Sequence, residues 1–362
     1  MESLQIKCRV FYGLVNYTLS ALQSPDRGKQ KQILLLNLDE TNIVYNYARL
    51  QKGMVVRKVN PADRKGSLLA AKRKSRKSKA VQRFLPQQDR GSVTLCSLIC
   101  NDTSIQPALP QVILGNERKF SPLLLAEVAA EGIPQNVHLW RAKSAWMSGQ
   151  KMKEFIALLV KSLAKYLDTH EIVLALDCAS CHLEASVLKY ARRMHVHLLF
   201  VPADTTGVIQ PLDVCGFKWL KGLLRNKWQA FRMEMDQGIM TDKQWLKAII
   251  EVADAMRSKK WNDAFVSNGF IVGQAGIRSA ILEKLELSRL RVPQGCPQED
   301  WLRFLLPANR QHVQVSHLLN LVGPRPSKTP AVSLSQLAAS ARSLEPIQTF
   351  SLTCLIVVGY KT

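Results

Sequence analysis

The sequence predicts an α/β fold, and the strongest evidence is a strand, a helix and a second strand in direct succession. These are EIVLALD (171–177), LEASVLKYARRM (183–194) and VHLLFVP (196–202), separated by only a few residues. Such short links imply a βαβ unit whose two strands run parallel. A further apolar run, ILLLNL (33–38), leads to Asp39 and predicts another buried strand.

Helical periodicity and two more β-rich runs complete the predicted pattern. Apolar residues recur at helical spacing over 152–167 and again over 217–235. Thr241 and Gln244 form a capping box that begins a further helix. Residues 117–135 are expected to be an irregular insertion. The β-rich runs are SVTLCSLIC (92–100) and QVILGN (111–116).

The charge balance is the least ordinary feature of the composition. Fifty Lys and Arg residues against 28 Asp and Glu give a formal net charge of +22, with a pI near 9.8. Such an excess costs self-repulsion and favours a polyanionic partner, for which DNA is the first expectation and an anionic membrane surface the second. No apolar run reaches the ~18–20 residues that cross a bilayer, so no membrane span is expected. The eight scattered cysteines favour free thiols in a reducing compartment.

Three aspartates follow buried-looking runs and form the candidate catalytic set. Asp39 and Asp177 end predicted strands, and Asp213 lies in QPLD before an amphipathic helix. Ligands of open α/β sheets gather at the carboxyl ends of strands, so these acids can converge. Three adjacent carboxylates stay ionised only beside a cation, and Mg²⁺ prefers such oxygen ligands. Two such ions would clamp both oxygens of a phosphodiester displacement, whereas the simpler alternative is that each Asp only caps a turn.

The segment CASCH (178–182) allows three other interpretations. Cys178, Cys181 and His182 have the C-x-x-C-H spacing of covalent haem attachment, and the cysteine pair alone is compatible with thiol redox chemistry. A zinc site would need two more ligands, for which His195 and His197 are expected on one face of the next strand. A predicted helix begins directly after His182 and leaves a haem little room, so we favour the carboxylate interpretation.

Four segments resemble the DDE superfamily endonucleases, in particular the catalytic domain of pogo, Tigger and jerky-like transposases. NLDETNIV resembles the family's first-acid strand, and DCASCH its second-acid segment, with Asp and His five residues apart. The segment that contains Asp213 resembles the family's TT…QPLD…FK signature. Asp177 and Asp213 are separated by 35 residues, as suits the last two acids. The resemblance covers roughly residues 33–265. The segments are NLDETNIV (37–44), WMSGQKMKEF (146–155), DCASCH (177–182) and VPADTTGVIQPLDVCGFKWLK (201–221).

This resemblance implies a ribonuclease H-like fold, with a mixed β-sheet flanked by helices and two Mg²⁺ or Mn²⁺ ions. Carried over by position, Asp39, Asp177 and Asp213 become the metal-binding triad. The resemblance also implies that water, and then a freed 3′ hydroxyl, attacks DNA. No organic cofactor is expected. Supporting roles beside the triad are expected for Glu40, His182 and Gln210.

Two departures from the family pattern leave a second functional hypothesis. Cys178 stands where the family usually has Asn, which would weaken the orientation of the metal ligands. About 32 residues precede the first predicted strand, too few for a helix-turn-helix domain, so the chain is either a truncated copy or binds DNA through its basic segments. The alternative function is a degenerate or domesticated relative that binds DNA or chromatin without cutting it. Asp204, in the same loop as the TT pair, is not placed by the motif.

Two basic segments are the candidate DNA contacts. Residues 57–83 contain eleven Lys and Arg, which predicts nuclear import or phosphate binding, while the basic stripe beginning at Lys218 follows Asp213 directly. We expect nuclear localisation and a homo-oligomer on DNA. The predicted organisation is a short segment (1–32), a catalytic domain (33–265) with a basic insertion (57–90), a helical extension (266–323) and a flexible tail (324–362). The predicted DNA-binding residues are Lys72, Arg73, Lys74, Arg76, Lys77, Lys218, Lys221 and Arg225.

Overall fold

The structure is a computed structural model of the whole chain. It describes residues 2–25, 30–44, 92–234, 240–271, 277–290, 292, 303 and 306. The predicted basic insertion at 57–90, the tail at 324–362 and Lys72, Arg73, Lys74, Arg76 and Lys77 lie outside the described residues.

Six strands form one mixed sheet in the order β4-β3-β2-β1-β5-β6. Only β2 runs against its neighbours, because β1 and β3 pair with it antiparallel while the other pairs are parallel. The carboxyl ends of the other five strands therefore meet at one edge of the sheet. The strands are β1 (Gln32–Val44), β2 (Ser92–Cys100), β3 (Gln111–Asn116), β4 (Val137–Ala142), β5 (His170–Asp177) and β6 (Val196–Val201).

Nine helices accompany the sheet in the described part of the chain. The helix Asp242–Ser258 packs against β2, β3 and β4, while Ala185–Arg193 and Glu2–Leu22 contact β6. In chain order the helices are α1 (Glu2–Leu22), α2 (Pro122–Ala130), α3 (Gly149–Ser162), α4 (Ala185–Arg193), α5 (Thr206–Ile209), α6 (Phe217–Glu234), α7 (Asp242–Ser258), α8 (Asn262–Ser267) and α9 (Ser279–Lys284).

The central strands are buried on both faces, which explains their continuous apolar runs. Residues 34–39 of β1 and 172–176 of β5 are all buried, as expected for strands covered by helices on both sides. Helix boundaries follow capping residues: Ser148 accepts a hydrogen bond from Lys151 at the start of α3, and Thr241 with Gln244 forms the predicted capping box of α7.

Helix α1 packs into the same hydrophobic core as the sheet. Phe11 is fully buried and meets Phe270 edge to face, with ring centroids 5.4 Å apart. The Tyr12 hydroxyl donates to the carbonyl of Asn268 at 2.9 Å. Lys7 Nζ donates to the carbonyl of Ala203 at 3.1 Å, in the loop after β6. Residues near the amino terminus therefore support the segment that leads to Asp213.

The predicted α/β fold, with a mixed sheet flanked by helices, is confirmed, and the architecture is consistent with a ribonuclease H-like fold. The prediction that 117–135 is irregular was wrong, because Ser121 caps helix α2 there. Strand β4 was not predicted. No helix in the described ranges is long and apolar enough to cross a membrane.

Candidate metal centre

Asp39 and Asp177 lie at the same level on adjacent parallel strands. Asn37 in β1 pairs with Ala175 in β5, and the two aspartates are each two residues further on. Side chains two residues apart on a strand point to the same face, so Asp39 shares a face with Asn37, and Asp177 shares a face with Ala175. The two aspartates could converge only if their strands were parallel neighbours, and the pairing of β1 with β5 meets that condition.

Asp213 lies in a π-helical turn (Leu212–Gly216) that contacts β1 and runs directly into α6. Asn37 holds the turn in place: its Oδ1 accepts a hydrogen bond from the backbone amide of Leu212 at 2.9 Å. The Nδ2 of the same side chain donates to the carbonyl of Ala175 in β5 at 3.1 Å. One buried amide therefore links all three segments that carry the candidate acids.

The acids are close enough to repel one another. Asp39 is only 8% exposed. Burial raises the pKa of Asp39 well above its ordinary value, and the negative charges of Asp213, Glu40 and Asp177 raise it further. The hydrogen bond that Asp39 Oδ1 accepts from the backbone amide of Glu40, at 2.8 Å, offsets only part of this effect. A bound cation would relieve the repulsion and leave all these carboxylates ionised.

His182 is fully buried between two carboxylates. Its Nδ1 lies 2.7 Å from Asp177 Oδ1 and its Nε2 lies 3.2 Å from Glu40 Oε1. Burial lowers the pKa of His182, but the charge of Glu40 and the hydrogen bonds of the ring to Asp177, Cys181 and Glu40 outweigh it and raise the pKa well above its ordinary value.

The ligand atoms of Glu40, Asp177 and His182 all lie within 4.8 Å of one another, a spacing compatible with a metal ion. Because the imidazole of His182 contacts the carboxylates of both Asp177 and Glu40, we assign it as the side chain that orients them. Such a partner fixes the orientation of a carboxylate ligand without coordinating the metal itself.

Asp177 remains ionised in this arrangement. Burial acts to raise its pKa, but the hydrogen bond and positive charge of His182 outweigh burial and hold the pKa below its ordinary value. The backbone amide of Ala179 also donates to Oδ1, at 3.0 Å. Both bonds end on Oδ1, so Oδ2 is the oxygen that the described residues leave for a cation.

The donor set fits a hard divalent cation. Asp39, Asp177 and Asp213 would supply carboxylate oxygens, the ligands that Mg²⁺ and Mn²⁺ prefer. Asp39 and Asp213 lie outside the group of ligand atoms within 4.8 Å, which Glu40, Asp177 and His182 form among the described residues. Asp213 is exposed, so one side of the centre is open to solvent and to a phosphate, whereas Asp39 is buried beneath it. An open position of this kind is what a catalytic metal site requires.

Two buried polar side chains near the acids lack a hydrogen-bond partner among the described residues. Both amide atoms of Gln210, three residues before Asp213, are buried without a hydrogen-bond partner among the described residues. The same holds for the hydroxyl of Ser97, which pairs directly with Asp39 across β1 and β2. Buried polar groups are nearly always satisfied, so both are suited to contact water or a ligand at the centre. Gln210 was predicted from its motif; nothing in the local sequence distinguishes Ser97.

The cysteines of the CASCH segment do not form a metal or redox site. In the described part of the chain, the one group able to hold a metal contains no cysteine. The Cys178 thiol donates to the carbonyl of Val201 at 3.3 Å, and burial, aided by the charge of Asp177, raises its pKa to about 12. A thiol this rarely ionised is a poor nucleophile.

The histidines proposed as additional zinc ligands also point elsewhere. The prediction that His195 and His197 share one face of a strand was wrong, because His195 precedes β6 in a left-handed conformation with φ 59°. The Nε2 of His197 lies 3.3 Å from Glu171 Oε2, near the beginning of β5. That position is at the opposite end of the strand from Asp177.

The described part of the predicted basic stripe lies on one exposed side of α6. Lys218 and Arg225 are exposed, and Lys221 is half-buried with its Nζ 5.9 Å from the ring centroid of Phe217. Helix α6 begins directly after the turn that carries Asp213. The three cations therefore lead away from the carboxylates along one helix.

A family model described as DDE superfamily endonuclease matches residues 89–269, which is half of the chain. The chain belongs to the DDE superfamily endonucleases. The match includes Asp177, Asp213 and the WMSG segment, but it begins after Asp39. The family match therefore does not extend to Asp39, which is placed near Asp177 by the strand pairing.

Other comparisons add little. No curated protein matches this sequence. Among solved structures, the chain is similar to the Mos1 transposase in a paired-end complex with the left transposon end, at 12% identity and a TM-score of 0.33. That alignment covers 73% of this chain and 62% of the Mos1 chain. The present chain therefore spans less than two thirds of the length of the Mos1 chain. A similarity at this level carries no argument about function.

Proposed function

We propose that this protein is a DNA endonuclease of the DDE type, which cleaves phosphodiester bonds with two Mg²⁺ or Mn²⁺ ions. The observation that carries the proposal is the cluster of Asp39, Asp177 and Asp213 at one edge of the sheet. Burial, followed by the charges of the neighbouring acids, raises the pKa of Asp39, and a divalent cation would relieve the repulsion between them. Family membership and the net charge of +22 support DNA as the substrate.

Each residue of the centre has a distinct task in this proposal. Asp39, Asp177 and Asp213 hold the ions, which supply Lewis acidity and an activated water when bound. His182 keeps Asp177 ionised and turned so that Oδ2 faces the site, and Glu40 holds the far side of the imidazole. Asn37 keeps the Asp213 turn against β1 and β5. The exposed side of Asp213 is where the scissile phosphate would enter.

The DNA backbone is proposed to follow helix α6 away from the centre. Lys218, Lys221 and Arg225 lie within the first three turns of the helix, so they can contact successive phosphates beside the one being cleaved. We extend the proposal to the basic run that contains Lys72 and Arg73, which would add phosphate contacts or a nuclear import signal. Nuclear localisation and a homo-oligomer on DNA belong to the same proposal.

The direct test is nicking of supercoiled plasmid DNA by the purified chain. We expect open-circular product with Mg²⁺, at least as much with Mn²⁺, and none in EDTA. The same titration followed by thermal unfolding should show stabilisation by Mn²⁺, because only the folded state assembles the three carboxylates. Nicking that persists in EDTA would contradict a metal-dependent mechanism.

The second candidate function is DNA binding without cleavage, and Cys178 at the family's usual Asn position is the observation that favours it. The Cys178 side chain is buried and contacts β6, so it offers no amide to orient a ligand of the metal. Tight, salt-dependent DNA binding combined with no nicking in either metal would select this function. Recovery of nicking in Cys178→Asn would then identify the residue responsible for the loss.

A further inference from the structure

Trp146 is the most exposed large hydrophobic side chain of the described residues, at 73%. Single exposed aliphatic residues are common on protein surfaces, but an exposed indole leaves a large flat apolar face in water. Trp146 makes no aromatic pair among the described residues. Within the described ranges, no ring contact accounts for its position.

The segment that carries Trp146 is held firmly on both sides. The carbonyl of the preceding residue, Ala145, accepts a hydrogen bond from the hydroxyl of Thr94 in β2. Two residues further on, Ser148 caps the beginning of α3 by accepting from the amide of Lys151 at 3.2 Å. The indole is thus presented by a fixed backbone, which lowers the entropy cost of binding.

The same contacts place the backbone around Trp146 on the face of the sheet that carries Glu40. Thr94 pairs with Asn42, three residues beyond Asp39 on β1. Residues three apart on a strand point to opposite faces, so the Thr94 hydroxyl lies on the face of Glu40 and not on that of the Asp39 side chain. On the other side, Gly149 at the start of α3 has no room for a Cβ because the Glu184 carboxylate occupies that space. Glu184 ends the loop that carries Asp177 and His182.

The charges around Trp146 suit an anionic strand. Lys143 is exposed and forms no ion pair with any residue that the structure describes. The neighbouring cations are already engaged: Arg141 donates to the carbonyl of Phe120, and Lys151 pairs with Glu154 at 2.7 Å. A free lysine three residues from an exposed indole is the combination with which proteins bind single-stranded nucleic acid.

We propose that Trp146 is a stacking platform for an unpaired base of the DNA strand held at the metal centre, with Lys143 on an adjacent phosphate. The inference deepens the proposed endonuclease function and rests on it. Stacking is tolerant of sequence, so Trp146 would hold and separate strands rather than select a target site.

The test measures the affinity for a short fluorescein-labelled single-stranded oligonucleotide by fluorescence anisotropy, in EDTA so that no strand is cut. Trp146→Ala should weaken binding roughly 5- to 100-fold, as the loss of one base–aromatic stack predicts. Trp146→Phe should retain most of the affinity. The matched control is Leu123→Ala, which removes the other strongly exposed apolar side chain, at 71%, and should bind as the wild type does.

Two further measurements separate stacking from charge and from a structural effect. The dependence of affinity on salt should keep its slope in Trp146→Ala and become shallower by about 0.7–0.9 in Lys143→Ala, because only the lysine neutralises a phosphate. Placing an abasic site at each position of the oligonucleotide in turn should weaken wild-type binding at one or two positions. Trp146→Ala should be insensitive to the same abasic sites.

Three results would overturn the inference. Wild-type affinity in Trp146→Ala, with normal DNA binding otherwise, removes the stacking role but leaves the proposed endonuclease intact. A change in sedimentation without a change in DNA affinity means that Trp146 contacts a second copy of the chain. Failure of the wild-type protein to bind any DNA overturns the inference together with the proposed function.

Discussion

The amide of Leu212 donates to the side-chain oxygen of Asn37 at 2.9 Å, across 175 residues of sequence. This hydrogen bond connects the strand that carries Asp39 to the turn that carries Asp213. A buried backbone amide without a partner costs about 1–3 kcal/mol, so the bond is both a structural and a positioning contact.

Asn37→Ala should therefore lower the free energy of unfolding by about 1–3 kcal/mol and reduce metal-dependent nicking at least tenfold. Urea unfolding and plasmid nicking measure the two effects. The matched control is Asn101→Ala, since Asn101 Oδ1 accepts from the amide of Leu35 at 2.9 Å, towards the other end of β1. The control should lose comparable stability and keep its activity. Equal losses of nicking in both variants would mean that Asn37 has no positioning role.

His182→Asn removes the buried imidazole between Asp177 and Glu40. Leaving these two half-buried carboxylates without their hydrogen-bond partner should cost about 1.5–3 kcal/mol of stability at neutral pH. A metal ligand that loses its orienting partner typically loses metal affinity, so the midpoint of Mn²⁺ stabilisation should rise roughly 10- to 100-fold.

The control for this variant is His197→Asn, which removes a buried histidine from its partner Glu171 near the other end of β5. Its stability should fall, while its Mn²⁺ midpoint stays at the wild-type value. An unchanged Mn²⁺ midpoint in His182→Asn would contradict the assignment of His182 as the residue that orients Asp177.

Tyr12 tests whether helix α1 is an integral part of the fold. Its buried hydroxyl donates to Asn268, and burial, followed by the charge of Cys8, raises the pKa of the phenol well above its ordinary value near 10. Tyr12→Phe should lower the free energy of unfolding by about 1 kcal/mol at neutral pH. Tyr190→Phe is the control, because the buried Tyr190 hydroxyl has no hydrogen-bond partner in the described residues and its loss should cost nothing.

The pH dependence of the Tyr12 effect has a definite sign. Because the folded-state pKa lies above the unfolded value, the contribution of the phenol is complete below about pH 10 and is lost as pH rises through the folded-state pKa. The stability difference between the wild type and Tyr12→Phe should therefore shrink in urea titrations above about pH 10. A difference that stays constant there would show that the phenol ionises freely in the folded state.

The basic stripe of α6 predicts a change in the salt dependence of DNA binding. Lys218→Ala and Arg225→Ala should each make the slope of log affinity against log salt shallower by about 0.9 on duplex DNA, because each removes one phosphate contact. The control is Lys227→Ala on the same helix. Because Lys227 forms an ion pair with Glu251, the slope of log affinity against log salt should stay unchanged in this variant. Identical slopes in all three variants would place the DNA elsewhere on the surface.

Much of the fold could be predicted from the sequence, because five of the six strands and helices α3, α4, α6 and α7 show their periodicity locally, whereas helix α1 and strand β4 were not predicted. The runs that lead to Asp39 and Asp177 were recognisable as continuously apolar, which is the pattern of strands buried on both faces. Asp39 does not end its strand as predicted, because β1 continues to Val44. Helix α2 was missed because its apolar residues surround the axis instead of forming one stripe, and Leu123 on its outer side is 71% exposed. Its cap Ser121 and the following proline were the available signal.

The residues of the candidate centre were easier to predict than the contacts between them. Asp39, Asp177 and Asp213 were proposed one by one from their positions in the sequence, and the structure places them close enough for their charges to act on Asp39. The bridging position of His182 could not be predicted, since it depends on a contact with Glu40 142 residues away. The Asn37–Leu212 bond and the exposure of Trp146 likewise depend on tertiary packing, for which a single sequence has no local signal.

The most direct test of the metal centre compares Asp213→Asn with Asp204→Asn in single-turnover plasmid nicking with Mn²⁺. Both residues are exposed acids in the segment between β6 and α6, and Asn tolerates the left-handed backbone of Asp204, at φ 70°. We predict that Asp213→Asn lowers the nicking rate at least a thousandfold, roughly 4 kcal/mol of transition-state stabilisation, while Asp204→Asn cuts at close to the wild-type rate. Nicking by folded Asp213→Asn at the wild-type rate would contradict the assignment of this carboxylate to the metal centre.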